Sequence, residues 1–418
     1  METEEIMKNK ILINLREPAL LEKLYRDDKL GFKRAFNTVY ADLEDQFPAR
    51  YWYERLNFTG DEITPGKGLL IVVISAVLSG FLTQLPGVFS LNEEFFFTRN
   101  AGFIIFPALT GYFIWKNKLS IRTTGFLMAI VIAAALYINL LPGTLGNDIL
   151  VLVCLHIPIV LWAVLGMAFT GSHKNSLTGR LDYLKFNGDL LVMSALIGIA
   201  GAITTGLTIG LFEIVGLDIE KFYFENITLF CLPAIPITAS YLTRNNSNLV
   251  GKVSPVIARI FSPVVLVMLT IYLPAIFFSE ENIYHDREFL LTFNLLLIGV
   301  MALIFFSVAG KDGNSTGRAE TMILIGLSVL TIVINAMALS AILFRISEWG
   351  ITPNRTAVLG TNILILVNLM GVTVQLFKVL RNKAEISTVG KAIARYLPVY
   401  VLWALVVVVV FPLLFGWG

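Results

Sequence analysis

The chain has 418 residues, 56% of them hydrophobic and 15% charged, with a formal net charge of +2. Soluble domains carry about 25% charged residues, so most of this chain is built for surroundings that do not reward charge, and the near-balance excludes a basic field for nucleic acid. Two cysteines, Cys154 and Cys231, both inside apolar runs, offer neither a disulfide framework nor a metal-ligand spacing.

Residues 1–66 are a different material from the rest. Their charges alternate, with no short apolar core and no small-residue cleavage site, which argues against a cleavable signal peptide. Pro18 suits a first helical turn, and Leu20, Leu21, Leu24 and Tyr25 fall on one helical face. A second amphipathic pattern runs through Phe32, Phe36, Val39, Tyr40 and Leu43, preceded by the capping pair Asp27-Asp28. These predict two short helices lying on the membrane surface or beneath the bundle, where a membrane-protein partner would dock. Tyr51, Trp52, Tyr53 and Phe58 have the composition of a membrane interface. So few aliphatic residues make only a marginal core, so a separate soluble domain is not expected.

From Lys67 onward, apolar runs of membrane-crossing length repeat at 69–88, 97–115, 124–141, 149–170, 189–215, 223–242, 254–278, 289–309, 321–344, 356–378 and 394–416. Helices of about 20 residues cross about 30 Å of hydrocarbon, and only helices or closed barrels satisfy their backbone there. The second run is the weakest, because Arg99 and Asn100 sit in its first turn. The expected fold is therefore all-α, a polytopic bundle of about eleven spans (67–418) behind a short helical cytoplasmic segment (1–66).

Lys and Arg in the loops set orientation. With a cytoplasmic N-terminus, 26 of the 32 Lys and Arg fall inside, Arg259 is left within the membrane, and the outer side holds Arg99, Lys221, Arg287, Arg345 and Arg355. The C-terminus then lies outside. The outer loops are otherwise acidic or neutral, with Glu93-Glu94, Asp148, Asp218, Glu220, Glu280-Glu281 and Asp286.

Polar residues inside spans face a bundle interior or a cavity. Thr361, Asn368 and Gln375 recur every seventh residue on the tenth run, where Asn335 of the ninth could meet them. His156 and Glu213 both fall in the outer half. Together these residues outline a polar vestibule opening outward, with Glu213 or His156 exchanging protons; plain interhelical hydrogen bonding is the alternative. Gly198, Ala202, Gly206 and Gly210, spaced by four, predict close helix approach. Pro233, Pro236, Pro255, Pro263 and Pro274 predict bent or broken sixth and seventh spans, as transporters use around their binding sites. No internal repeat accompanies them. There is no His-Glu-x-x-His, Walker loop or Gly-x-Ser-x-Gly. His156, His173 and His285 are too scattered for a metal site, and no cofactor is indicated.

Between the ninth and tenth runs, Arg345 to Arg355 holds two arginines, Glu348, Trp349, Gly350, Pro353 and Asn354. Pro353 is expected to stop the ninth helix and Asn354 to cap the tenth. Arg355 would then sit at the positive end of a helix, where a cation needs a partner. One reading is an anion clamp of Arg345, Arg355 and the helix N-terminus; the other is a turn closed by an ion pair from Glu348 to one arginine. The string Trp349-Gly350-Ile351-Thr352-Pro353-Asn354-Arg355 resembles the motif Tyr-Gly-x-Thr-x-Asn-Arg of a bacterial family of multi-span membrane proteins designated domain of unknown function four-one-five-three, with Trp349 in the Tyr position. Leu20 to Arg26, running on to Phe32-Lys33-Arg34, is similar to members from Bacteroidetes-type bacteria. The resemblance implies a bacterial inner-membrane location. Three functions follow as expectations: a permease-like or lipid- and anion-handling protein using Arg345, Glu348, Asn354 and Arg355; an envelope sensor or scaffold; or an enzyme acting on lipid-linked phosphates. The implied partners are the lipid bilayer and an anionic lipid or small anion.

Overall fold

The computed structural model describes residues 2–57, 65–143, 146–171, 176–214, 217–245, 253–278, 287–309 and 317–416. Phe58, His173, Glu280, Glu281, His285 and Asp286 lie outside these residues. The described residues are helical with no strand, and they divide into two units, Met1–Pro65 and Gly66–Gly418.

The first unit holds four helices, not two: α1 (Glu2–Ile13), α2 (Pro18–Asp27), α3 (Lys29–Val39) and α4 (Phe47–Asn57). Pro18 opens α2. The Asp28 carboxylate caps α3 by accepting the Gly31 N–H at 2.9 Å, and a Cβ at Gly31 would overlap that carboxylate. Ile11, Leu21, Phe32 and Phe36 are wholly buried, whereas Leu20 is exposed. Of the aromatic residues expected at a membrane interface, Trp52 and Tyr53 belong instead to this small core, and Tyr51 is exposed. The Trp52 ring lies 5.1 Å from Phe32 and 5.7 Å from Tyr25, and Tyr53 stacks on Tyr40 at 3.7 Å. Aromatic rings bury a large area per residue, which is how so short a chain with few aliphatics closes a core at all.

The second unit is the helical bundle of a multi-pass membrane protein. It comprises α5 (Pro65–Phe89), α6 (Glu93–Lys116), α7 (Ile121–Leu140), α8 (Asp148–Thr170), α9 (Leu177–Ile214), α10 (Ala234–Asn245), α11 (Val253–Phe278), α12 (Arg287–Ala309), α13 (Arg318–Trp349), α14 (Pro353–Leu380), α15 (Ser387–Leu405) and α16 (Phe411–Phe415). Nine segments among the described residues are long and apolar enough to cross a membrane. The two remaining sequence-predicted spans are α6, which carries Arg99 and Asn100, and α12, whose apolar stretch runs over Phe293–Val308.

Short polar caps reverse the chain. Asn92, Ser120, Asn147 and Thr352 each accept a backbone N–H from the first turn of α6, α7, α8 and α14. Two prolines leave marks that other helices answer. Before α10 the chain passes through a π-helical stretch, Tyr223–Thr228, and Pro233 cannot bond the Leu229 carbonyl four residues back; the Thr83 hydroxyl of α5 donates to it at 3.1 Å. Between α15 and α16 runs a second π stretch, Val406–Val410, and Pro412 likewise leaves the Val408 carbonyl, which the Tyr137 hydroxyl of α7 reaches at 2.8 Å.

The interior has two cores. One gathers Leu127, Leu150, Leu161, Leu165 and Phe113 of α6 to α8, and the other gathers Ile304, Leu327, Ile334, Leu369 and Leu376 of α12 to α14. A patch of Leu152, Ala357, Val407 and Phe411 lies between them. The small-residue stripe of α9 does not meet another helix among the described residues. A Cβ at Gly198, Gly206 or Gly210 would have nothing within 4 Å, and Ala202 is exposed. Close packing was expected there, but among the described residues the second half of 38-residue α9 carries no buried side chain.

Candidate functional site: a buried polar seam between α13, α14 and α15

On α13 the side chains of Thr321, Ser328, Thr331, Asn335 and Arg345 are buried. They span 24 residues, about 36 Å of helix at 1.5 Å per residue, enough to cross the hydrocarbon. Ser328 and Thr331 settle their hydroxyls on their own helix, donating to the carbonyls of Ile325 at 2.9 Å and Leu327 at 2.7 Å. Asn335, near the middle of α13, donates from Nδ2 to the Asn362 carbonyl of α14 at 3.2 Å. Both asparagines are wholly buried, yet Asn335 Oδ1 and both amide atoms of Asn362 bond to nothing among the described residues. A buried polar atom in that state costs about 1–3 kcal/mol.

The seven-residue stripe on α14 turns elsewhere. Thr361 Oγ1 accepts the Trp403 indole N–H at 3.0 Å, and Asn368 Nδ2 donates to the Tyr400 hydroxyl at 3.1 Å, both on α15. Trp403 lies so close over Gly360 that a Cβ there would overlap its ring. Gln375 makes no hydrogen bond among the described residues and is half-buried. Asn335 thus meets α14 one residue beyond the predicted stripe, because one residue rotates a helix face by about 100° and α13 and α15 flank α14 on different sides. Asn362, Tyr400 and Trp403 escaped the sequence reading. An amide in the middle of an apolar run was the one available signal for Asn362.

The 345–355 turn is closed by a different device from either expectation. Gly350 ends α13 at φ +78°, a conformation that side-chain-bearing residues rarely adopt. Thr352, not Asn354, caps α14, with its Oγ1 accepting the Arg355 N–H at 3.3 Å, and Pro353 takes the first helical position. A threonine suits the extended backbone of a cap, and Asn354 lies within the first turn. Arg355 sends Nη1 back to the carbonyls of Trp349 at 2.9 Å and Gly350 at 2.7 Å, with its guanidinium 5.6 Å from the Trp349 ring centroid. The cation at the positive end of α14 therefore serves the negative end of α13. Glu348 is exposed and forms no ion pair among the described residues, so the turn is not closed by Glu348. Arg345 is buried one turn earlier.

Arg99 repeats the arrangement. It is buried, donates to the carbonyls of Ile138, Leu141 and Gly143 at 3.2, 3.3 and 3.0 Å, and lies 4.0 Å from the Phe95 ring centroid. Arg259, which the sequence left within the membrane, pairs with Glu320 of α13 at 3.5 Å.

His156 and Glu213 do not join this seam. The His156 ring is half-buried in mid-α8, with Nδ1 at 2.8 Å from the Leu152 carbonyl of its own helix. Glu213 is exposed near the end of α9 and makes no hydrogen bond or ion pair among the described residues. No group of three or more His, Cys, Asp or Glu side chains comes together among the described residues. No family model matches the chain, and no curated protein and no solved structure matches it either.

Proposed function

We propose that the protein is permease-like and handles a small polar solute at the amide pair between α13 and α14. One observation carries this: Asn335 and Asn362 are wholly buried mid-helix, and three of their four amide atoms have no partner among the described residues. A site that served helix packing alone would be more stable with leucine at both positions. An anion clamp at the 345–355 turn has less support, because the Arg355 guanidinium is already engaged by two carbonyls. An enzyme acting on lipid-linked phosphates has less again, since among the described residues neither Glu213 nor His156 bonds to an arginine. A scaffold or sensor working through its N-terminal helices is the second reading, favoured by the separate core of the first unit. The bacterial inner membrane, the cytoplasmic N-terminus and the outer C-terminus belong to the same proposal, supported by 26 of 32 Lys and Arg falling on one side and by the resemblance of the 345–355 string.

The test needs no knowledge of the solute. In a background with Cys154→Ser and Cys231→Ser, the variants Asn335→Cys and Asn362→Cys are treated with a small impermeant thiol reagent in right-side-out and inverted vesicles. A polar path predicts labelling at one or both positions and none at Leu327→Cys. If neither position reacts from either side while Glu348→Cys does, the permease reading fails.

A further inference from the structure

At the end of the bundle away from the 345–355 turn, the ends of α6, α8 and α10 and the start of α9 enclose an open cavity of about 860 Å³. Its walls carry both signs of charge. Thr178, Asp182, Lys185 and Asp189, spaced by four, three and four, lie along one face of α9. Across from them stands Arg244, whose guanidinium stacks 4.9 Å from the Phe169 ring centroid. Arg244, Lys185 and Asp182 enter no ion pair among the described residues, although all three line one cavity. The neighbouring Thr243 is 5% exposed, and its hydroxyl bonds to nothing among the described residues. The first turn of α9, where Ser176 Oγ accepts the Gly179 N–H at 2.9 Å, adds the positive end of a 38-residue helix.

A zwitterion complements both signs of this wall, whereas a purely anionic solute would face Asp182. We infer that the cavity binds a zwitterionic phosphate ester, a phosphate linked to a primary amine, with the phosphate held by Arg244, Lys185 and the first turn of α9 and the ammonium by Asp182. Arginine, lysine and a helix N-terminus together favour phosphate over a single carboxylate. The same chemistry occurs as an ethanolamine-phosphate lipid head group and as free phosphoethanolamine.

The test is titration of the full-length protein in detergent with dihexanoyl phosphatidylethanolamine, the matching phosphatidylglycerol, and free phosphoethanolamine. Wild type is expected to bind the ethanolamine lipid at least about tenfold more tightly than the glycerol lipid, the scale of one charge-assisted hydrogen bond. Asp182→Asn should erase that preference, whereas Arg244→Gln should weaken both lipids about tenfold. Lys185→Gln replaces Arg244→Gln if the latter does not fold. Free phosphoethanolamine binding as tightly as the lipid assigns the site to a soluble ligand; binding of the lipid alone assigns it to a head group. The inference is overturned if wild type binds no member of the series, if it does not prefer the ethanolamine lipid, or if the preference survives Asp182→Asn.

Discussion

With the proposed sidedness, Arg99 and Arg355 stand where the positive-inside pattern should keep cations out, and both hand their charge to a helix end. Arg355→Ala removes two charge-assisted bonds in a partly exposed turn and should lower stability by about 1–2 kcal/mol in detergent thermal unfolding. Arg355→Lys should recover only part of this, since an ammonium lacks the planar fork that reaches two carbonyls. Arg99→Ala should cost more, about 3 kcal/mol, because that side chain is buried and three carbonyls lose their donor. The amide pair should behave in the opposite sense: Asn362→Leu is expected to raise the unfolding temperature while abolishing transport, and a fall in stability would make the amide structural. In the first unit, Glu22 accepts from Arg26 and from Arg55, each at 2.9 Å, which holds its carboxyl below the ordinary 4.5, chiefly through the Arg26 hydrogen bond. A depressed folded value gives stability that is present above 4.5 and lost as pH falls through the folded value. The ratio of hydrogen-exchange protection in α2 between wild type and Glu22→Gln should therefore shrink toward one in acid and be largest near neutral pH.

Glycines sort the elements by what they touch. Gly360→Ala, pressed by the Trp403 ring, should destabilise by roughly 1–3 kcal/mol through overpacking. Gly206→Ala in open α9 should be neutral or stabilise by up to about 1 kcal/mol, and a large loss on thermal unfolding would show that this face is covered. The contrast marks how far the sequence could be read. Most helices followed from apolar length and from caps such as Asp28 and Pro18, because these are local signals, whereas α1, α4 and the first twelve residues of α9 lie outside what was expected. Spacing by four on α9 could not distinguish a face that meets a helix from one that meets none, since both use the same small residues. Asn368 was visible as a buried polar position, but its partner Tyr400 lies 32 residues away and only packing pairs them. The misread Asn354 cap failed on a smaller point: two capping residue types stood two positions apart, and the backbone chose the threonine before the proline.

Over the whole molecule, acidic residues at the Lys/Arg-poor end also follow the helix dipoles. Glu93 and Glu94 sit in the first turn of α6 and Asp148 in that of α8, where helix N-termini favour carboxylates. Around α6, α8 and the 345–355 turn, charge at that end is thus arranged helix by helix, negative where α6 and α8 start and a guanidinium where α7 and α13 stop, although Arg287 opens α12. Reporter fusions at the two termini test the proposed sidedness: activity of a cytoplasmic reporter at residue 1 and of an external one at residue 418 is expected, and the reverse pattern would overturn the orientation.

The two carbonyl-seeking arginines also differ in when their acceptors come into being. Trp349 and Gly350 precede Arg355 in the chain, so its partners are already synthesised when the arginine emerges. Arg99 is made 39 to 44 residues before Ile138, Leu141 and Gly143. With the proposed sidedness, a ribosome adding about 5–20 residues per second leaves that guanidinium without its carbonyls for several seconds. The α6–α7 hairpin is therefore a step of biogenesis at which this chain needs to be held by the insertion machinery, and a nascent chain halted before residue 138 should leave α6 unsettled in the bilayer.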